Sequence, residues 1–190
     1  MVIEDDNVHI SITTIPAASF VPSAYDLILP TADSRSEYDL DAVTIEIVKN
    51  AKRSKVALIG DTSANETDCA VLNGDVLSVL QDWTLYHINI ETCELISTTK
   101  IDSWCPNFNI YRIQDGYIIL GETDVTMLDH GFNTLWSFGG NDVFSPMDPA
   151  LKPIELCNDK IKLYDFNGDY YELNYSGKLI ASRKNESKKE

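Results

Sequence analysis

Histidines and cysteines, the side chains most often used in acid–base and zinc chemistry, are few in this chain, and their spacing suits neither. Histidine, which titrates near neutrality, occurs at positions 9, 87 and 130. No His-Glu-x-x-His run is present and no two histidines stand one helical turn apart, so His9, His87 and His130 are expected in structural or solvated roles. Cys69, Cys93, Cys105 and Cys157 follow one another at intervals of 24, 12 and 52 residues. Zinc and redox sites need close Cys-x-x-Cys pairs, so reduced, mostly buried thiols are expected instead.

Two loop segments carry residue types found in ligand-binding loops. Asp165-Phe-Asn-Gly-Asp169 alternates carboxylates and an amide like the start of a calcium loop, but Tyr170 stands where the sixth-position glycine belongs and Ser176 where the bidentate glutamate belongs. A type I′ hairpin turn at Asn167-Gly168 accounts for the same residues, since both of its central positions need positive φ. Gly139-Gly-Asn-Asp142 lacks the lysine and serine that complete a phosphate loop. No Gly-x-Ser-x-Gly elbow is present either. The expectation is a non-enzymatic protein with no catalytic residue, no metal and no cofactor.

The elements that would carry any site are strands. From residue 70 onward short apolar runs rich in β-branched and aromatic residues are broken by turn residues. One pattern recurs three times, in Asp75–Ile88, Gly116–Leu128 and Asp159–Leu173: a strand, a tight acidic turn and a second strand. A polar turn and a third apolar stretch follow, in Glu91–Leu95, Gly131–Leu135 and Tyr175–Leu179. Ile88, Leu128 and Leu173 then correspond, as do Leu95, Leu135 and Leu179, at offsets of 40 and then 44 to 45 residues. A period of about 40–45 residues with four short strands per unit is the sequence mark of a propeller blade.

Residues 67–182 resemble the blades of bacterial quinoprotein-like and WD-type propellers, without their Gly-His and Trp-Asp signature or the tryptophan-docking motif. The segment Trp136-Ser-Phe-Gly-Gly-Asn-Asp-Val-Phe144 is also similar to a group of bacterial propeller-like proteins, some of them associated with toxin immunity. The resemblance implies architecture and carries over no functional residue.

The expected fold is therefore mainly β: a single-domain partial propeller-like array over residues 1–182. An amino-terminal β segment, 1–66, precedes about three antiparallel blades over 67–182. Three blades do not close a ring, so a fourth sheet built from Val8–Thr13, Ala24–Leu29, Val43–Val48 and Lys55–Gly60 is expected to cover an open edge. The rival is a dimer pairing exposed edges. Ser36–Lys52 is read as strand from its β-branched content. Pro16, Pro22 and Pro30 divide the first thirty residues into short extended pieces. The tail 183–190 holds no apolar residue and is read as disordered.

Stacked blades would bring equivalent turns to one face, and each carries an acid: Gln81-Asp82-Trp83, Glu122-Thr123-Asp124 and Asp165 to Asp169. Asp82, Trp83, Glu122, Asp124, Asp165, Phe166 and Asp169 are accordingly the candidate partner-binding residues, an acidic stripe with aromatic anchors. Local turn chemistry is the competing explanation, because Asp and Asn cap their own backbones in turns. With 30 acidic against 15 basic residues the net charge is −15, which argues against nucleic acid and anionic membrane as ligands and for a basic protein. The start, Met1-Val-Ile-Glu-Asp-Asp, lacks the basic and apolar regions of a signal peptide, and a cytoplasmic monomer or homodimer is expected. The function expected is protein binding, in the narrower form an immunity or inhibitor protein that neutralises a basic toxin such as a nuclease. The alternative is a small-ligand or carbohydrate pocket at which Trp83, Trp104, Tyr111 and nearby acids converge.

Overall fold

The computed structural model describes residues 1–5, 7–29, 41–60 and 67–185, with Ala17 described by its backbone alone. Strands and short 3-10 turns make up its regular structure; among the described residues there is no α-helix. Contacts divide the chain into two compact units, Met1–Asp102 with Phe108–Tyr111, and Ser103–Asn107 with Arg112–Glu190. Sequence periodicity alone treats 1–182 as one domain.

The first unit begins with a five-stranded sheet in the order β1-β2-β4-β5-β3, built from β1 (Val2–Asp5), β2 (Val8–Pro16), β3 (Leu27–Leu29), β4 (Asp41–Lys49) and β5 (Lys52–Gly60). Alternation decides its two faces. Ile10 pairs with Ile47 and Ile12 with Ile45 across β2 and β4, while Val43 and Ile45 pair with Leu58 and Val56 across β5. All seven are buried and pack against Leu77, Val79, Tyr86 and Ile88 of the next sheet, each contributing on the order of 1.5–3 kcal/mol. The intervening positions, Ser11, Thr13, Thr44, Glu46 and Lys55, line a polar surface groove. Asn50 and Ala51, at φ 49° and 64°, form the two-residue turn between Lys49 and Lys52, the geometry whose twist matches paired strands. The segment read as strand over Ser36–Lys52 is β4 and the start of β5 where it is described; residues 36–40 lie outside the described residues.

Three four-stranded meanders follow. The first holds β6 (Ala70–Asn73), β7 (Val76–Gln81), β8 (Thr84–Asn89) and β9 (Glu94–Lys100). The second holds β10 (Asn107–Ile113), β11 (Gly116–Gly121), β12 (Asp124–Leu128) and β13 (Thr134–Gly139); the last holds β14 (Ile154–Leu156), β15 (Ile161–Tyr164), β16 (Tyr170–Leu173) and β17 (Leu179–Arg183).

The repeat is visible in the registers. Leu77 pairs with Ile88, Tyr117 with Leu128 and Ile161 with Leu173, the same rung in each blade. At the same three residues the ladder to the outer strand shifts in all three blades: Ile88 pairs with Leu95, Leu128 with Thr134 and Leu173 with Leu179. The equivalent of Leu95 and Leu179 is thus Thr134, which corrects the sequence alignment to Leu135. Leu135 is the extra residue of the bulge, as are Ile96 and Ile180, and the three are 56%, 53% and 55% exposed. A bulge on an outer strand bends its open edge away from further pairing.

Inner strands β7 and β11 are buried on both faces. β15 and β16 alternate instead, and their solvated face is a polar ladder. There Lys160 meets Glu172 at 2.8 Å and Lys162 meets Glu155 at 3.2 Å. The Tyr164 and Tyr170 rings lie 5.0 Å apart, with the Arg183 guanidinium 5.6 Å over Tyr170. The tail begins later than the sequence suggests: Arg183 closes β17, and Asn185 donates its backbone N–H to Asp169 at 2.8 Å and its side-chain amide to the Asn167 carbonyl at 2.9 Å. Residues 186–190 lie outside the described residues.

Candidate functional site

Of the three acidic turns, Asp82 and Trp83 belong to the first unit. Asp82 has φ 52°, a left-handed conformation that Asp tolerates, and the half-buried Trp83 accepts the Ile101 N–H on its carbonyl at 2.9 Å. The other two turns lie in the second unit, where hydrogen bonds connect them.

The connection runs along the linker from β13 to β14. Phe144 N–H donates to the Glu122 carbonyl at 2.6 Å, Phe166 N–H donates to the Val143 carbonyl at 2.7 Å, and Met147 N–H reaches the Phe166 carbonyl at 3.4 Å. Beneath it, Tyr171 packs edge-on against Phe138 and Phe144, at centroid distances of 5.6 and 6.3 Å. The linker's own polar side chains join in: the Asn167 amide donates to Asp142 at 2.6 Å and the Asn141 amide to Asp169 at 3.3 Å.

Asp165 is not part of any exposed face. It is fully buried; one carboxylate oxygen accepts the N–H groups of Asn167 and Asp169 at 3.0 and 2.9 Å, the other the Tyr171 hydroxyl at 2.9 Å. Burial pushes the Tyr171 hydroxyl up to about 12; the Asn141 N–H opposes that shift and the bond to Asp165 adds to it. The type I′ reading of this turn is corrected as well. Gly168 has φ 79°, but Asn167 is not among the positive-φ residues, so the reversal is a five-residue turn organised around the Asp165 carboxylate. Three donors thus engage that carboxylate within its own turn and strand, the local chemistry that favours Asp in turns.

Around this frame the exposed side chains are acidic and apolar together. Glu122 is half-exposed and its side chain makes no hydrogen bond to a described residue. Asp124 is held by Ser103, whose hydroxyl donates to it at 2.8 Å, and by Thr123 at 3.2 Å. That bond fixes the loop 103–105, whose central residue, Trp104, is 95% exposed. Phe166 and Met147 are exposed by 40% and 58%. The alternative sequence reading gathers Trp83, Trp104 and Tyr111 at one pocket; Trp83 and Tyr111 belong to the first unit and Trp104 to the second. Met147 carries no sequence signal, because its loop position has no periodicity to mark it.

The histidines hold structure. His87, 4% exposed, contacts Ser78 Oγ at 2.8 Å through Nδ1 and Thr99 Oγ1 at 3.0 Å through Nε2. Burial lowers its pKa and so favours the neutral ring. Although Ser78 and His87 are in hydrogen-bond reach, the serine is 2% exposed and meets no substrate. His9 pairs with Glu4 at 3.2 Å, and His130 donates to the Gln114 carbonyl at 3.1 Å. The four cysteines, all described, form no disulfide; Cys69 alone is fully buried.

No family model and no curated protein matches the chain. Solved structures do. The chain is similar to a computationally designed protein, Ika8, with a TM-score of 0.55 at 9% identity, covering 79% of this chain and 47% of that one. It is also similar to the WD40 β-propeller domain of Doa1, with a TM-score of 0.51 at 11% identity, covering 80% and 52%. The chain has a β-propeller-type fold. It spans about half the length of these two matches, and at such identities the likeness speaks for the fold alone. Among the described residues no helix is long and apolar enough to cross a membrane.

Proposed function

We propose that the acidic, aromatic edge of the second unit is a docking surface for a basic protein, and that the chain acts by binding rather than by catalysis. The observation that carries this is Trp104, 95% exposed on a loop that Ser103 ties to Asp124. A tryptophan left in water on a braced loop is unfavourable for the isolated molecule, and the same side chain is the commonest anchor of protein interfaces. Glu122, Asp124, Asp142 and Asp169 around the two turns supply the field that steers a cationic partner. Asp82 and Trp83, on the first unit, stay outside this reading, as does Asp165.

The narrower form is an inhibitor of immunity type, in which the acidic edge covers the phosphate-binding groove of a basic toxin such as a nuclease and competes with its polyanionic substrate. Four cysteines without a disulfide support a reducing, cytoplasmic setting for that encounter. The test is a pair of single variants on the purified complex. Trp104→Ala is expected to weaken binding by at least about 2 kcal/mol through a faster off-rate. Glu122→Lys is expected to slow association and flatten its salt dependence. Unchanged affinity in both variants overturns the assignment.

A further inference from the structure

At the opposite end of the same strands, a cleft of about 300 Å³ opens in the second unit where the β10–β11 turn and the β14–β15 turn face Tyr175. That volume is at the lower end of small-molecule sites. Its frame is fixed. The Tyr175 hydroxyl donates to the Cys157 carbonyl at 2.7 Å, which holds the ring against the second turn. Trp136 donates its indole N–H to the Tyr175 carbonyl at 3.0 Å, and His130 holds the Gln114 carbonyl in the first turn.

Three polar side chains on this frame, Gln114, Asp115 and Asn158, are exposed and make no hydrogen bond to a described residue. Elsewhere in the same blades, turn acids and amides cap their own backbones. Asp129 accepts the N–H groups of Gly131 and Asn133, both at 2.8 Å, and Asn174 accepts that of Lys178 at 2.9 Å. The ordinary reason for such residues in turns therefore does not account for Gln114, Asp115 and Asn158.

We propose that this cleft binds a neutral polyhydroxylated ring, a mono- or disaccharide. Two carboxamides offer donors and acceptors together, which a hydroxyl, itself both donor and acceptor, satisfies. A cation would pair with Asp115 but, donating only, offers nothing to the N–H groups of the two carboxamides. An anion meets Asp115 and a chain of net charge −15. The Tyr175 ring with Ile113 and Leu156 supplies apolar surface for the C–H face of a sugar. This site is independent of the protein-binding edge, and either reading stands without the other.

Cys157 lines the cleft and gives a built-in readout. The full chain is incubated with glucose, galactose, mannose, N-acetylglucosamine, cellobiose or lactose, or with guanidinium or inorganic phosphate, and alkylation by iodoacetamide is followed by peptide mass mapping. Ligands this small bind at about millimolar strength, so each is used to about 50 mM. At ten times its dissociation constant a ligand leaves about one site in eleven open. The expected result is about tenfold slower alkylation of Cys157 with at least one sugar and unchanged rates at Cys93 and Cys105. Gln114→Ala and Asn158→Ala, both at exposed positions, abolish the protection while leaving thermal unfolding unchanged. Protection by no sugar, protection by guanidinium or phosphate instead, or protection that survives both variants overturns the proposal.

Discussion

Asp165 is a candidate for the partner-binding face by sequence and the organiser of its turn by structure; its removal separates the two roles. Asp165→Ala leaves three donors without their acceptor: the N–H groups of Asn167 and Asp169 and the hydroxyl of Tyr171. The two amides lie at half-buried positions where water can replace part of the bond, so about 1 kcal/mol each is appropriate; the buried Tyr171 hydroxyl loses about 1–2 kcal/mol. The sum, about 3–4 kcal/mol, is a large share of the roughly 5–15 kcal/mol that holds a domain together. Asp165→Asn is milder. Its carbonyl oxygen still accepts both amides, and only the contact with Tyr171 turns from acceptor to donor, at about 1 kcal/mol. Urea unfolding followed by circular dichroism measures both variants, and the partner's affinity for the folded Asp165→Asn protein should equal that of the parent. If Asp165→Ala unfolds within about 1 kcal/mol of the parent, or if Asp165→Asn folds normally yet loses the partner, the structural assignment is wrong.

Two further outcomes follow from the first unit. Ala51 sits at φ 64° in the β4–β5 turn, so Ala51→Gly is expected to stabilise the protein by about 1 kcal/mol by removing a left-handed alanine, read as a raised urea midpoint. His87 has its pKa lowered by burial, so the unfolded chain binds a proton more readily than the folded one. The stability of the neutral ring is complete above the unfolded value of about 6.5 and is lost as pH falls through the lower folded value. Unfolding midpoints between about pH 7.5 and pH 5.5 should therefore drop more for the parent than for His87→Gln; equal slopes would show that His87 is not a source of the pH dependence.

The parts of this fold legible in the sequence are those set by local chemistry. Tight turns at a steady offset reveal the blades because each strand pair is a few residues long and its turn immediate, as the shared rung Leu77–Ile88, Tyr117–Leu128 and Ile161–Leu173 shows. The strands of the amino-terminal sheet are legible for a different reason, the local alternation seen at Ile10 and Ile12 and at Ile45 and Ile47, although β2 and β4 pair across 24 intervening residues. The bulge is not: it changes the count in an exposed outer strand by one residue, and hydrophobicity at Leu135 points to the wrong partner for Leu128. Asp165 misleads because its burial depends on Tyr171 and a linker folding over the turn, which no spacing of charges announces. Trp104 is visible as a residue, but its display in solvent depends on a serine–aspartate bond across 21 positions.

Affinity capture from the source cells tests the docking claim most directly, with tagged parent, Trp104→Ala and Glu122→Lys as parallel baits at low and high salt. The account predicts one stoichiometric basic protein on the parent, lost at high salt and depleted on both variants, which unfold at the parent's temperature. A partner retained equally by all three baits, or a parent bait that is folded and empty, contradicts it.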